Sequence, residues 1–591
     1  MVASLRVIEG DIMYRALVSC LAAFAVLTLS GCGEDKATPS PSEVSQTEVD
    51  LIITNGMIYD GLGGEPFQGG IAVDDDMILA VGDVSGFRSD QMVDANGEAI
   101  SPGFINMLSW GVQSLIVDGR GLSDIAQGVT LEVFGEGYSM GPISPILKAE
   151  LEEKYSGDFP FKVEWETFGE YLEYLVDKGV SPNVASFLGA TTVRINHIGL
   201  EDKAPTPEQL AAMQAEVRAS MEEGAMGIGS SLIYAPAFYA DTEELVALMQ
   251  AAAPYGGSYI SHLRSEGTSL LEAVEELIEI AKRSGAPAEI YHLKAAGLDN
   301  WDKMPKVIDR VNEVRAQGIE VRANMYTYTA GATGLDAAMP PWVQAGSQSD
   351  WSARLQDPET RARVKAEMKA PDGWESLWLA AGDPEKLLFA SFKNPDLKKY
   401  TGLSLADVMA ERGTDAEDTM MDLVIEDGSR VGTIYFLMSP ENMALKVKTP
   451  WVSFGSDGGA IAPEGNFLKS SPHPRAYGNF TRLLGKYVRE DGLISPQEAI
   501  RRMTSMPADN LKLRQRGRLA PGYKADIVVF DPATIGDKAT FARSHQLATG
   551  VTHVFVNGSQ VLKDGEHTGA LPGQVVRGPG WTGWKDAPVN D

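Results

Sequence analysis

Short apolar runs, each bounded by glycine or proline, alternate with helical stripes through the middle of the chain. Eight runs read as strands, at 100–107, 130–135, 183–189, 227–232, 258–263, 289–293, 321–328 and 451–456. The stripes between them carry their own punctuation. Thr206-Pro-Glu-Gln209 combines an N-cap, a proline at the first helical position and a capping-box glutamine. Leu210, Met213, Val217 and Met221 then mark one helical face, and Gly224 stops it. A second helix is predicted from Thr268 through Leu271, Val274, Ile278 and Ala281 to Gly285. Strand and helix in alternation predict a parallel α/β architecture, and eight such units suit a (β/α)8 TIM barrel. Both ends of the chain are strand-rich instead, at 50–60 and 70–82, then at 525–531 and 551–562. This predicts one small β-domain of the sandwich type, assembled from 50–101 plus 511–580, around a barrel inserted at 102–510. Between the seventh and eighth strands lies a charged, partly helical insertion at about 329–450. A lid or substrate wall and plain decoration are equal readings of it.

Composition narrows the function. With 591 residues, 44% hydrophobic, the chain can bury a large core. A net charge of −30, spread along the chain, opposes nucleic acid as a partner. No basic cluster or Walker-type glycine loop supports a nucleotide reading. The two cysteines, Cys20 and Cys32, fall near the start. Arg15, the apolar run 16–29 and Leu29-Ser-Gly-Cys32 describe a secretory signal that resembles a bacterial lipobox. Residues 1–32 then form a lipoprotein signal peptide with Cys32 as the lipidated residue, and 33–49 a polar linker. The expected location is the bacterial cell envelope, periplasm-facing or at the outer membrane, with membrane contact only through the N-terminal lipid anchor.

Two strand ends carry the chemistry. Tyr259-Ile-Ser-His262 and Ile290-Tyr-His292 place a histidine one strand–helix unit apart, in a chain with seven histidines. A lone strand histidine is more often a satisfied core residue, but a matched pair at neighbouring barrel strands suits one metal. Glu136, between Gly135 and Gly137 after the second strand, completes a His2Glu set for a catalytic zinc with an open position. Asp457, in Gly455-Ser-Asp-Gly458 after the last strand, is placed to move a proton between water and a leaving nitrogen. Arg475 can hold a carboxylate bidentately. Lys294, two residues beyond His292, points the same way by strand alternation. Tyr326 and Tyr328 either offer hydroxyls to the substrate or are aromatic core residues.

These residues resemble the N-acyl-D-amino-acid deacylase (D-aminoacylase) family of the amidohydrolase superfamily. Further matches are Ser101-Pro-Gly-Phe-Ile-Asn106, the stretch 223–236 and Gly517–Asp531, so the resemblance covers nearly all of 50–577. It implies a β-domain plus a (β/α)8 barrel, and a zinc hydrolase that cleaves the amide of N-acylated amino acids. The D configuration rests on the resemblance. The chain also departs from the family. Leu108 and Trp110 stand where a His-x-His pair is usual. Ser230 and Ser231 close the fourth strand in place of a bridging lysine. Glu136 takes roughly the place of a cysteine ligand, and a histidine common after the third strand is replaced near Ala190-Thr-Thr192. One zinc per chain is therefore expected. Ring-opening of a cyclic amide, in the style of dihydroorotase or hydantoinase, is the nearest alternative. A catalytically inactive barrel kept as a surface binding lipoprotein is the other.

Overall fold

Eight parallel strands close into a barrel in the computed structural model, which describes residues 46–584. They are β1 (Phe104–Asn106), β2 (Val129–Phe134), β3 (Asn183–Ser186, resuming at Leu188–Gly189), β4 (Gly227–Ser231), β5 (Ser258–His262), β6 (Ala288–Ile290), β7 (Val321–Met325) and β8 (Val452–Phe454). Each pairs with the next. The ring closes where the Asp457 N–H donates to the Leu108 carbonyl at 2.8 Å and Ser109 bridges Gly458. Alternate residues point inward, so Ile105, Leu131, Val133, Phe187, Ile260 and Tyr291 fill the interior. The same alternation carries His262, two residues past Ile260, to the mouth at the C-terminal end.

The outer helices follow the sequence punctuation. Thr206 and Gln209 form a reciprocal capping box at the start of Pro207–Glu222, whose Met213, Val217 and Met221 are buried. The second predicted helix, Leu270–Ser284, begins two residues later than Thr268, with Ser269 as its N-cap; the helix Thr242–Ala252 precedes it.

The run read as a single first strand splits. Ala99–Pro102 pairs antiparallel with Ile527–Phe530, and only Phe104–Asn106 enters the barrel. Gly103 makes the break, because a Cβ there would lie 2.0 Å from Thr130 Oγ1. Ala99–Pro102 thereby joins a nine-stranded sheet with strands from both ends of the chain, including Leu51–Ile58, Phe67–Asp74 and Val551–Val556. Leu51, Ile53, Ile71, Val73, Ile527 and Phe555 share one core there.

The long insertion is folded. Ala330–Gly334, Gly432–Phe436 and Leu387–Ser391 form a three-stranded antiparallel sheet, and Thr333, Arg430 and Gly432 line the cavity over the barrel mouth. It is a wall of the site rather than decoration. Among the described residues no helix is long and apolar enough to cross a membrane. Cys20, Cys32, the leader and most of the linker lie outside the described residues.

Candidate functional site

Local backbone geometry brings three candidate ligands together. Glu136 follows β2 between Gly135, at φ +106°, and Gly137, at φ +74°. A Cβ at Gly135 would meet the Phe187 carbonyl oxygen at 2.3 Å, so only glycine allows this turn. His262 ends β5. His292 lies two residues beyond β6 at φ 33°, and its N–H donates to Asn324 Oδ1 at 2.8 Å. Asp457 is also left-handed, at φ 50°. Non-glycine residues in this region cost about 1–3 kcal/mol each, and such strain concentrates at functional sites.

Glu136 Oε1, His262 Nδ1 and His292 Nε2 converge with separations of 3.3, 3.0 and 2.8 Å, and all three residues are buried. Two imidazole nitrogens and a carboxylate oxygen aimed at one point could hold a cation between them. Donors on a tetrahedral zinc, with bonds near 2.0–2.1 Å, stand about 3.3 Å apart. The triangle is close to that size, and its N2O donor set suits zinc. Burial pushes the Glu136 carboxyl up, but His292 and His262 outweigh it and hold it well below the usual range.

A fourth residue, one that the sequence pattern does not single out, supports this set. Glu266 accepts from Lys294 Nζ at 2.6 Å, and its Oε1 lies 3.1 Å from His292 Nδ1. Its Oε2 is 3.5 Å from His262 Nε2. One carboxylate thus stands behind both histidines, close to His292 Nδ1 as an outer-shell partner of a metal ligand would be, while His262 Nε2 makes no hydrogen bond. Its only sequence signal was its position four residues after His262.

The structure redistributes the expected substrate-binding residues. Lys294 lines the cavity, and there it donates to Glu266 and contacts His292 Nδ1 at 2.7 Å, so it also braces the centre. Arg475 is buried with Nη1 2.8 Å from Asp457 Oδ2, and its guanidinium lies 4.5 Å from the Tyr326 ring centre. Tyr326 lines the cavity. Tyr328 does not: its hydroxyl donates to Asp537 Oδ2 at 2.9 Å and Arg482 covers its ring. Asp457 faces the cavity, and its other oxygen, Oδ1, accepts from Trp110 Nε1 at 3.1 Å. Burial raises the Asp457 carboxyl, Arg475 opposes this, and Glu136 adds to it.

Cations that the sequence pattern does not single out also line the cavity, whose volume is about 720 Å³, Arg430 and Lys154 among them. Arg430, from the insertion, bonds Asp336 through Nε and packs 4.7 Å from the Tyr234 ring centre. That ring in turn meets His262 edge-on, 5.3 Å between centres. Lys154 holds its ammonium 4.6 Å from the Tyr138 ring centre. At the end of β4, Ser231 lines the cavity, and Ser230 bonds Tyr259 and Ser261.

Comparison with known proteins agrees with this geometry. The N-acyl-D-aspartate deacylase of Alcaligenes xylosoxydans xylosoxydans is 31% identical, over 90% of this chain and 95% of its own. The D-aminoacylase of the same organism is 30% identical, over 90% and 99%. Among solved structures, a D-aminoacylase described as having a binuclear metal center is 29% identical, with a TM-score of 0.74, covering 90% of this chain and 100% of that one. The N-acyl-D-glutamate deacylase of Bordetella bronchiseptica, complexed with zinc and a phosphonate mimic of the tetrahedral intermediate, gives 29%, a TM-score of 0.73 and the same coverage. The family model described as "Amidohydrolase family" matches residues 159–562, and this chain belongs to the amidohydrolase family.

Proposed function

We propose that this protein hydrolyses the amide bond of N-acyl amino acids, of D configuration, releasing the free amino acid and a carboxylic acid. The observation that carries the reading is the convergence of Glu136, His262 and His292 beside Asp457 at the mouth of the barrel. The similarity to deacylases along nine-tenths of the chain supports the substrate class. Glu136, His262 and His292 would hold one zinc ion, which when bound supplies water activated near neutral pH and a Lewis acid for the scissile carbonyl. Asp457 takes the proton of the attacking water and returns it to the leaving nitrogen. Arg475 and Trp110 fix its two oxygens. Burial raises its proton affinity toward that of a useful base, while Arg475 limits the rise. Arg430 and Lys154 offer a cationic wall to the substrate carboxylate, which favours an acyclic N-acyl amino acid over a cyclic amide.

The test is amino acid release from a panel of N-acetyl-D- and L-amino acids by zinc-loaded protein, with Asp457→Asn alongside. Turnover of the D-series that falls about 10²–10⁴-fold in the variant is expected. Full turnover in Asp457→Asn would refute the mechanism, and none in fully loaded wild type would favour a binding lipoprotein.

The anchor is part of the proposal. Cys32 carries lipid and tethers the enzyme to the cell envelope. Incorporation of labelled fatty acid, abolished in Cys32→Ala, is the expected result.

A further inference from the structure

Trp110 occupies an unusual place in the centre. Its single indole N–H lies 3.0 Å from Glu136 Oε2 and 3.1 Å from Asp457 Oδ1, so one donor is shared by two buried carboxylates. Glu136 is divided by this contact. Its Oε1 faces the two histidines, while Oε2 is turned to the indole. Asp457 is likewise occupied on both oxygens, by Trp110 and by Arg475. The backbone on either side is fixed, because Ser109 bridges Gly458 and the Trp110 N–H donates to the Gly458 carbonyl at 2.9 Å.

Two neighbouring positions offer nothing to a second ion. Leu108 is fully buried in the barrel interior, and Ser230 Oγ is spent on Tyr259 and Ser261. Among the described residues, Glu136, His262 and His292 are the one group of three that could hold a metal. Charge points the same way. The carboxylates Glu136, Glu266 and Asp457 are buried with the cations Lys294 and Arg475. One divalent ion already offsets the remaining negative charge of these five groups, so a second would depend on a further neutral donor.

We propose that Trp110 fills, with one neutral N–H, the place where a second cation would bridge Glu136 and Asp457, so that the centre is built for a single metal ion. Resting on the reading of a metal-centred hydrolase, this assigns Trp110 as a positioning residue. It holds Glu136 with one oxygen toward the metal and sets the separation between that ligand and the base. The D-aminoacylase with a binuclear center, at 29% identity, differs in this respect.

The experiment is metal analysis of the full chain, depleted and then reloaded with zinc, with affinity read by competition against a chromophoric chelator. Wild type is expected to bind one equivalent. Trp110→Phe keeps the ring but loses the N–H; it should still bind one equivalent, about 10–100-fold more weakly. Trp110→His, which places a donor between the two carboxylates, should bind two. Two equivalents in wild type, or an unchanged zinc affinity in Trp110→Phe, would overturn the inference while leaving the hydrolase intact. Wild type that binds no zinc would remove both. None of these readouts depends on turnover, so failure to find a substrate is a separate result.

Discussion

Asn106 shows how one side chain organises its neighbourhood. Its amide nitrogen donates to Asp124, Glu132 and Ser456 at 3.3, 3.0 and 2.8 Å, behind the barrel wall. Its Oδ1 accepts from the Ser456 N–H at 2.8 Å and so ties β8 to β1. Two buried carboxyls already face this point, so the residue here has to donate. Asn106→Asp would add a third carboxyl and remove the donor. A loss of about 2–4 kcal/mol is expected, read from denaturant unfolding. Burial pushes the Glu132 carboxyl up to about 7 and raises Asp124 as well. A carboxyl raised in the folded state contributes stability that is lost as pH climbs from its unfolded value through the folded one. Glu132→Gln should therefore raise the melting temperature at pH 8 and change it little at pH 4.5. An equal gain at both values would mean that Glu132 does not carry the strain.

At the scale of elements, the barrel strands were legible because buried parallel strands are apolar on both faces and end in glycine or proline. Where those strands stop was not legible, and side-chain direction depends on it. β6 ends at Ile290, and His292 then turns into the left-handed region. Alternation no longer holds beyond it, and Lys294 reaches the cavity paired with Glu266. β7 likewise ends at Met325, so Tyr326 stays at the mouth while Tyr328 follows the departing chain to Asp537. The sheet of the insertion was hidden for a different reason. Ala330–Gly334 pairs with Gly432–Phe436 about a hundred residues away, beyond any local pattern. Arg430 reaches the cavity only through that pairing. If it receives the substrate carboxylate, Arg430→Met should raise KM about 10–100-fold, with a smaller effect on kcat. The zinc content should stay at the wild-type value. A fall in kcat at constant KM would instead mean that Arg430 acts in the transition state alone.

For the whole molecule, the candidate metal site joins β2, β5 and β6, three strands that are not all adjacent, through one point. Without an ion, the Glu136, His262 and His292 atoms must remain about 3 Å apart with protons alone between them. An ion that binds only the folded chain stabilises it by about 4 kcal/mol when present at 1,000 times its dissociation constant. Unfolding entropy near 2 cal/mol/K per residue is large for a chain of 591 residues, and that free energy then amounts to only about 3–4 °C in melting temperature. Chelation should therefore lower the melting temperature by a few degrees, and zinc should restore it. The shift should vanish in His262→Ala and in Glu136→Ala, since either change removes one of three donors. Lys294→Met, which leaves the three donors in place, should keep most of it. A full zinc-dependent shift in the Glu136→Ala protein would place the ion elsewhere and remove the carboxylate from the ligand set.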